Sequence, residues 1–437
     1  MIKKVLSAFL VVCVMVSLFA TTAPALAAGT VTATPDTLSV QFDGETAVMF
    51  PVYNIGGDKY FKLRDLAYML SGTNKQFEVE WNGANNAIIL TSGVTYTTVG
   101  GEMTAKNGVF ISAALTSSRI YLDGEKMTLT AYHIEGNNYF KLRDISRTFD
   151  FSVEWDDENN TFIIDTEKGS TWKNVTVSTP QELFDAIEPE TTITIKSGVY
   201  DLSTITETVS QYITAGSETA ALMVENLDGL ILKADSGADV ELVTPDLFSE
   251  IMKFSNCHDI TLSGIKAGHS VTDKYQCDAG VVWFENSAGI TIDSCLFYGC
   301  GSIGIRLWNC AYEQISDTTV TDCSLRAIDI LRSEYIVFTE CRFIDNRAYG
   351  CVIFGNDSFA EFIGCEISGN KSLEWSCVEF TGEALFESCV FLNNALIGGS
   401  EPVFAGSEIT LLDCEIEINN FSEYWNYGVV DLGNSFN

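Results

Sequence analysis

The sequence predicts a mainly β protein, with a right-handed parallel β-helix in its C-terminal part and a small α+β domain before it. Two repetitions predict this architecture. A six-residue motif occurs twice in the first third of the chain, and from Met223 onward the chain repeats with a period of roughly 23 to 30 residues. The chain has 437 residues, of which 46% are hydrophobic, so each part can bury a core.

The composition excludes several classes of function. Acidic residues number 59 against 25 basic ones, which gives a net charge of −34. A surface this negative repels phosphate backbones and anionic lipids, so we expect neither nucleic acid nor a membrane surface as a partner. The three histidines, His133, His258 and His269, are too few for a histidine-based metal site, so no metal site and no copper are expected. The excess of acids is compatible with bound Ca²⁺, but no Asp-rich loop specifies a calcium site.

Residues 1–27 have the pattern of a secretory signal peptide. Lys3 and Lys4 precede an apolar run from Val5 to Ala20, and Ala25-Leu26-Ala27 has the form of a signal-peptidase site. The run is short for a membrane-spanning helix, and no second run of spanning length follows. We therefore expect cleavage before Ala28, no stable membrane insertion afterwards, and a secreted protein whose net charge becomes −36 once the two lysines are lost.

The region 36–168 contains one pattern twice, at about 36–93 and 117–168. Each copy has, in the same order, an Asp-Gly turn, the motif Tyr-Phe-Lys-Leu-Arg-Asp, a tryptophan and an Asn-Asn pair. The matching residues are Asp43-Gly44 and Asp123-Gly124, Tyr60–Asp65 and Tyr139–Asp144, Trp81 and Trp155, and Asn85-Asn86 and Asn159-Asn160. Apolar residues at helical spacing follow each motif, so each copy is predicted to be a small sheet packed on one short helix.

These motifs resemble the copper amine oxidase N-terminal (stalk) domain family, which is common on secreted proteins of Gram-positive bacteria. The resemblance implies a non-catalytic accessory module that holds the protein at the cell wall. An amine oxidase also needs a catalytic domain with three copper histidines and a cofactor-forming tyrosine, and neither is visible, so no amine oxidase activity is expected. Arg64 and Arg143 are candidates for contact with an anionic wall polymer; alternatively, they only cap and solvate the helices.

Residues 172–437 are predicted to form the β-helix, which begins with a capping helix at about 180–188. Thr179-Pro180-Gln181-Glu182 is a capping box with proline at the first helical position. Two columns then recur every 23 to 25 residues: Cys295, Thr318, Cys341, Cys365, Cys389 and Cys414, and, five residues later, Cys300, Cys323, Asn346, Asn370, Asn394 and Asn419. We expect the stacked asparagine amides to hydrogen bond along the axis of the coil. This architecture resembles the pectate lyase-like superfamily of β-helix proteins, without a catalytic motif of that superfamily.

The cysteines are predicted to be buried free thiols. Twelve of the thirteen lie in the β-helix, where stacked neighbours fall within the Cα range of a disulfide. Side chains at one repeat position point the same way, however, which disfavours bonding between them. Cys300–Cys323 and Cys351–Cys377 are the pairs that remain candidates for a disulfide.

A second strand in each repeat carries two apolar residues that point inward and one residue between them that points outward. The inward pairs are Met252/Phe254, Val282/Phe284, Ile305/Leu307, Ile328/Ile330, Val352/Phe354 and Val378/Phe380. The predicted outward column is therefore Lys253, Trp283, Arg306, Asp329, Ile353 and Glu379, with Glu285 and Trp308 on the same face. Indoles stack on sugar rings and arginine pairs with carboxylates, so this column suits a uronic-acid polymer.

The candidate site follows from this column. The substrate-binding candidates are Trp283, Trp308 and Lys253, together with His269 and Tyr275 of the inserted loop 268–280. The catalytic candidates are Arg306, Asp329 and Glu285. A lyase would use Arg306 or Lys253 to abstract the proton alpha to a carboxylate. A hydrolase would instead pair Asp329 with Glu285 or Glu379.

The sequence thus favours a secreted, cell-wall-associated bacterial β-helix protein that binds polysaccharide. Two alternatives stay open: a lyase or glycoside hydrolase acting on an acidic polysaccharide, and a structural or adhesive surface rod. The expected partner is a polysaccharide or another cell-wall polymer. The sequence does not decide whether the protein is an enzyme.

Overall fold

A computed structural model describes residues 30–104, 110–116, 118–215, 219–271, 278–299, 301–373, 375–419, 421, 423–425 and 428–436. The predicted signal peptide, Tyr275 and Cys300 lie outside the described residues. The predicted fold class is confirmed: strands dominate, and a small domain precedes a coil of parallel strands. Within the described ranges, no helix has the length and apolarity needed to cross a membrane.

The N-terminal domain is built from short strands and two helices. Its strands are β1 (Thr30–Phe42), β2 (Val48–Ile55), β3 (Asp58–Lys62), β4 (Phe77–Asn82), β5 (Ala87–Ser92), β6 (Ile111–Leu115), β7 (Arg119–Leu122), β8 (Glu125–Met127), β9 (Ala131–Ile134), β10 (Asn137–Lys141), β11 (Ser152–Asp156) and β12 (Thr161–Asp165). Its helices are α1 (Leu63–Leu70) and α2 (Leu142–Phe149), and a 3₁₀ helix spans Gly83–Asn85.

The strands of the two sequence copies pair with each other, so the copies do not form separate sheets. Strand β3 pairs with β10 in antiparallel register, with Phe61 opposite Phe140. The last strand of each copy also pairs in parallel with the first strand of the other, β5 with β7 and β12 with β1. Both relationships stay the same when the copies are exchanged. The copies are therefore related by a pseudo-two-fold axis that passes between Phe61 and Phe140.

The aspartates of the two Asp-Gly turns also join the copies. Asp43 accepts hydrogen bonds from the backbone N–H and the hydroxyl of Thr166, at 2.7 and 2.8 Å. Asp123 accepts the same two bonds from Ser92, at 2.9 and 2.6 Å. The aspartate thus fixes the partner copy in addition to starting a hairpin, which accounts for its recurrence in the sequence.

Three parallel sheets wind the β-helix, and we name them the front, docked and rear sheets. The front sheet contains Ala220–Glu225, Glu250–Ser255, Val282–Glu285, Ile303–Trp308, Arg326–Leu331 and the first residues of Ile353–Ile363, Val378–Glu387 and Phe404–Leu412; Ile213–Ala215 pairs antiparallel at its start. The docked sheet contains Lys173–Val177, Thr191–Ile195, Asp228–Ala234, His258–Ser263, Thr291–Asp293, Ala311–Ser316, Glu334–Thr339, the last residues of the same three long strands, and Val429–Leu432. The rear sheet contains Gly198–Asp201, Val240–Thr244, Lys266–His269, Leu296–Tyr298, Thr319–Thr321, Arg342–Ile344, Arg347–Ala348, Glu366–Ser368, Lys371–Ser372, Val390–Leu396, Glu415–Asn419 and Ser435–Phe436.

A short helix, α3 (Pro180–Ala186), stands near the start of the coil, and a 3₁₀ helix follows at Leu202–Thr204. The hydroxyl of Thr179 accepts a hydrogen bond from the N–H of Glu182 at 3.2 Å. The Glu182 carboxylate accepts one from the N–H of Ser178 at 2.7 Å. The N-cap bond of the capping box therefore forms, the Glu182 carboxylate bonds to the residue before the N-cap, and α3 buries Leu183 and Phe184 in the first turns of the core.

One hydrophobic core runs through the coil from Val177 to Phe421. The ten cysteines of the described chain are all buried and free, and Cys351 and Cys377 are not bonded to each other. The thiol of Cys389 donates to the carbonyl of Phe362 at 3.1 Å, so it fills the core and also bonds along the axis.

The asparagine column forms the expected ladder. The amide of Asn346 donates to the Oδ1 of Asn370 at 3.0 Å, and the amide of Asn370 donates to the Oδ1 of Asn394 at 2.9 Å. All three side chains are buried. Each amide thus hydrogen bonds to polar groups at a turn, where the backbone no longer takes part in the hydrogen bonds of the sheet.

The N-terminal domain packs against the docked sheet. Lys141 forms ion pairs with Asp58 of its own domain, at 2.7 Å, and with Asp259 of the β-helix. Arg143 Nη1 lies 3.3 Å from Asp228 Oδ1. Arg143 is therefore engaged within the chain, and its predicted contact with a wall polymer is not supported by its position.

Candidate functional site

The outward face of the front sheet forms two adjacent ladders of side chains. The parallel register places Lys253, Trp283, Arg306, Asp329, Phe354 and Glu379 on successive rungs of the first ladder. The second ladder, two residues further along the same strands, contains Ser255, Glu285, Trp308 and Leu331. The structure thus brings together six predicted site residues, which we name the front cluster: Lys253, Trp283, Glu285, Arg306, Trp308 and Asp329.

The prediction that Ile353 faces outward is wrong. Ile353 is fully buried, and Phe354 takes the outward rung instead. The reason is that Gly355, and not Phe354, stands opposite the inward-facing Ile330. A Cβ at Gly355 would lie 2.1 Å from the ring of Phe380, so the glycine leaves space that this ring fills. A pattern of paired apolar residues cannot reveal an inward position that holds a glycine.

Trp283 is held between two cations. The Nζ of Lys253, one rung before, lies 3.7 Å from the centroid of the indole, and the Cζ of Arg306, one rung after, lies 5.0 Å from it. The ring of Trp308 lies nearly parallel to that of Trp283, with an interplanar angle of 10° and a centroid distance of 6.1 Å. Trp308 keeps 38% of its surface exposed. The cluster therefore presents one flat apolar ring to solvent above a second ring that is fixed by cation–π contacts.

The two carboxylates of the front cluster hold its cations in place. The Oε2 of Glu285 lies 2.9 Å from the Nζ of Lys253. Asp329 is 2% exposed, and its two oxygens accept hydrogen bonds from the Nε of Arg306 at 3.3 Å and from Arg326 at 3.1 Å. A carboxylate that is buried and held by two guanidinium groups cannot reach a glycosidic oxygen, so the predicted hydrolytic role of Asp329 does not fit its position. In the described part of the chain, no group of three or more His, Cys, Asp and Glu side chains is arranged to hold a metal ion.

Sequence reasoning missed two neighbours of the cluster that extend it along the coil. The Cζ of Arg326 lies 4.0 Å from the centroid of Phe354, and the same guanidinium bonds to Asp329. Phe354 was missed because of the register at Gly355. The alternation does not reveal Arg326 because it places this first residue of the strand on the inward side, with Ile328, whereas the side chain reaches Asp329 and Phe354.

Glu250 is a third residue that the sequence did not reveal. Burial raises the pKa of Glu250 to about 7, although Arg306, the backbone N–H of Gly280 and Lys253 each act to lower it. Glu250 thus titrates near neutral pH beside the two cations that flank Trp283. It is the first residue of the strand that contains Lys253, three residues before that lysine, and this proximity is its only signal in the sequence.

His269 does not join the front cluster. It lies at the end of a rear-sheet strand, opposite Thr244, and is buried. Its Nε2 lies 3.1 Å from the carbonyl oxygen of Ser249, and burial lowers its pKa. Its predicted contact with substrate is therefore not supported by its position, and Tyr275 lies outside the described residues.

Comparisons with known proteins agree with the two-part architecture. Residues 41–164 match the family model of the copper amine oxidase N-terminal domain, and residues 279–437 match that of the right handed beta helix region. Both matches fall in the regions where the sequence motifs predict these two parts, and they support the predicted order of a small N-terminal domain and a right-handed β-helix. No curated protein matches the chain.

Several solved structures are similar to the β-helix. They include a pectate lyase (11% identity, TM-score 0.42, covering 61% of this chain and 78% of that one). Another is an endo-xylogalacturonan hydrolase from Aspergillus tubingensis (10% identity, TM-score 0.35, covering 60% and 82%). A third is an alginate lyase from a Paenibacillus species (10% identity, TM-score 0.36, covering 60% and 99%). Similarity at this level carries no argument about the chemistry of the front cluster.

Proposed function

We propose that this protein is secreted and cell-wall associated, and that its β-helix binds an acidic polysaccharide at the front cluster. The observation that carries the proposal is the pair of parallel indoles, Trp283 and Trp308, beside the cations of Lys253 and Arg306. The C–H face of a pyranose ring stacks on an indole, and cations pair with sugar carboxylates.

The geometry of the coil suits an extended polymer. Neighbouring rungs of a parallel sheet lie about 4.8 Å apart, so a chain that follows the coil axis meets one ladder side chain after another. The cations are already positioned by Glu285 and Asp329. Side chains that are ordered before the ligand arrives lose less entropy on binding, which favours affinity.

The charge of the cluster favours an anionic ligand more strongly as the pH falls. Three cations, Lys253, Arg306 and Arg326, stand beside three carboxylates, Glu285, Asp329 and Glu379. Glu250 adds a fourth negative charge only above its pKa of about 7. Protonation of Glu250 therefore removes one negative charge from beside Lys253 and Arg306, on a protein whose net charge is −34.

Calorimetric titration of the full chain with trigalacturonate, in calcium and then in EDTA, tests this proposal. We expect the double variant Trp283→Ala/Trp308→Ala to bind at least tenfold more weakly. Trp375→Ala, which removes an exposed indole from another part of the β-helix, is the matched control and should bind as the wild type does. Equal affinity of the double variant, or equal binding of a neutral trisaccharide, would overturn the proposal.

A second candidate function, a polysaccharide lyase or hydrolase, is favoured by Glu250 alone. A carboxyl group with a pKa of about 7 can accept and return a proton at neutral pH. In a lyase, Glu250 would take the proton alpha to a carboxylate that Arg306 and Lys253 neutralise. Absorbance of unsaturated products from pectin, alginate and glycosaminoglycans tests this candidate, together with reducing-end release. Absence of turnover with and without calcium would reject it and leave the binding proposal intact.

Export and wall association rest on the signal-peptide pattern and on the N-terminal domain. Fractionation of a Gram-positive host that expresses the full chain tests both. We expect the protein outside the cell, with Ala28 as its first residue, and partly retained by washed walls. Retention in the cytoplasm would contradict export. Recovery of all of the protein in the medium, with none on the walls, would contradict wall association.

A further inference from the structure

The pseudo-two-fold axis of the N-terminal domain relates two grooves, one in each sequence copy. The second-copy groove is lined by Lys141, Arg143 and Trp155, and the first-copy groove by their counterparts Lys62, Arg64 and Trp81. Each groove encloses a cavity of about 540 Å³. Because the motif residues are the same, each groove contains a lysine, an arginine and a tryptophan side chain at equivalent positions.

The second-copy groove shows which groups such a groove accepts. The docked sheet places Asp228, Asp259 and Tyr312 against it. Arg143 pairs with Asp228 at 3.3 Å, and Lys141 pairs with Asp259. The chain itself therefore fills one groove with two carboxylates and a flat ring.

Among the described residues, none from the β-helix enters the first-copy groove, and all of its lining residues belong to the N-terminal domain. Trp81 is 53% exposed. Arg64 donates to the hydroxyl of Tyr96 at 3.4 Å and forms no ion pair with the described residues, although Lys62 is paired with Asp65.

Two further features distinguish this groove from its counterpart. Asn137 replaces Asp58, the acid that neutralises Lys141 in the second copy, so no carboxylate stands at this position of the first-copy groove, although Glu80 lines the groove elsewhere. Asn138 also lines the groove, and within the described part of the chain its buried Oδ1 makes no hydrogen bond. A buried acceptor without a partner is costly, and rotation of the Asn138 amide toward the groove would let a ligand hydroxyl satisfy it.

We propose that the first-copy groove binds a carboxylated saccharide. Arg64 pairs with the carboxylate, the Trp81 indole supports the sugar ring, and Asn138 accepts a hydrogen bond from a hydroxyl group. An exposed indole beside an amide acceptor suits a polyhydroxylated ring better than a peptide side chain. The site is separate from the front cluster, and two sites for one polymer would increase its retention by the linked-site effect.

The test uses the full chain with Trp283→Ala/Trp308→Ala as its background, so that the front cluster does not contribute. Trigalacturonate is titrated by calorimetry against this background alone, and then with Trp81→Ala, Arg64→Gln or Trp155→Ala added. Trp155→Ala is the matched control, because Trp155 is 42% exposed and occupies the equivalent position in the filled groove.

We expect at least a tenfold loss of affinity with Trp81→Ala and with Arg64→Gln, and less than a twofold change with Trp155→Ala. Unchanged affinity in Trp81→Ala, or an equal loss in Trp155→Ala, would overturn the proposal. Tighter binding of an Asp-Tyr-containing peptide than of trigalacturonate would also overturn it, in favour of a protein partner. If wild-type binding survives the background substitutions and disappears with Trp81→Ala, the front-cluster proposal fails and this one stands.

Discussion

Trp283 and Trp308 lie on neighbouring strands of the front sheet with their rings 10° from parallel and their centroids 6.1 Å apart. The two residues belong to different ladders, since Trp283 stands opposite Arg306 and Trp308 stands opposite Glu285. This diagonal arrangement separates their roles. Trp283 is the support, fixed by the cations on its two sides, and Trp308 is the exposed face.

Single substitutions should separate these two roles. Trp308→Ala removes an exposed ring, so its free energy of unfolding should stay within about 0.5 kcal/mol of the wild type. Trp283→Ala removes the ring on which Lys253 and Arg306 pack, and should cost about 2 kcal/mol or more. Both should weaken binding of trigalacturonate. Urea denaturation measures the difference, and equal destabilisation by the two substitutions would contradict the assignment of support and face.

Asp329→Asn should be among the most destabilising changes on the front sheet. It leaves Arg306 and Arg326 without the buried carboxylate that both contact, and breaking a buried pair costs about 3 kcal/mol. Glu366→Gln is the control, because its ion pair with Arg342, at 2.8 Å, is exposed and should contribute less than about 1 kcal/mol. If chemical denaturation gave the two variants similar losses, Asp329 would not be the residue that positions the arginines.

The raised pKa of Glu250 predicts a specific pH dependence. Its folded pKa of about 7 exceeds the ordinary value of 4.5, so the folded state binds more protons between these values. Stability should therefore fall as the pH rises from 4.5 to 7, by up to about 3 kcal/mol from this group. Glu250→Gln should remove that slope, and should also remove the strengthening of trigalacturonate binding below pH 7. The control is Glu408→Gln, at an exposed position; an unchanged slope in Glu250→Gln would contradict the assignment.

Two adjacent glycines test the contact between the domains. A Cβ at Gly56 would lie 2.6 Å from the ring of Tyr312 on the docked sheet, whereas a Cβ at Gly57 would meet nothing within 4 Å. Both have positive φ, at 61° and 95°, so Gly56→Ala and Gly57→Ala share a backbone cost of about 1 kcal/mol. Only Gly56→Ala should separate the domains, seen as faster proteolytic cleavage in the connection at 169–172. Equal cleavage of both variants would show that the close contact between Gly56 and Tyr312 does not hold the two domains together.

The sequence was sufficient for the architecture because the architecture repeats. Columns such as Cys341, Cys365 and Cys389 determine which residues stack, and the front cluster follows from the same register. The repeated Tyr-Phe-Lys-Leu-Arg-Asp motif likewise predicted two copies. It did not show that Phe61 would pair with Phe140, since nothing in one copy specifies whether its sheet closes on itself or on the other copy.

The failures have physical causes of their own. The pattern predicts the wrong side for Ile353 because a glycine occupies an inward position, and it does not reveal Glu250 because alternation places this first residue of its strand on the inward side, with Met252. His269 was grouped with the cluster because of its loop, but it lies on the rear sheet. Burial and register both depend on the coil as a whole, and a local pattern does not contain them.

A crystal structure of the full chain with trigalacturonate bound is the most direct test of polysaccharide binding at the front cluster. We expect a sugar ring stacked on the exposed face of Trp308, with a carboxylate within hydrogen-bond distance of Arg306 or Lys253. A second ligand at Trp81 would agree with the proposed saccharide site in the first-copy groove and would not affect this test. A saturated crystal with no sugar at Trp308, or with the ligand on the rear sheet, would contradict polysaccharide binding at the front cluster.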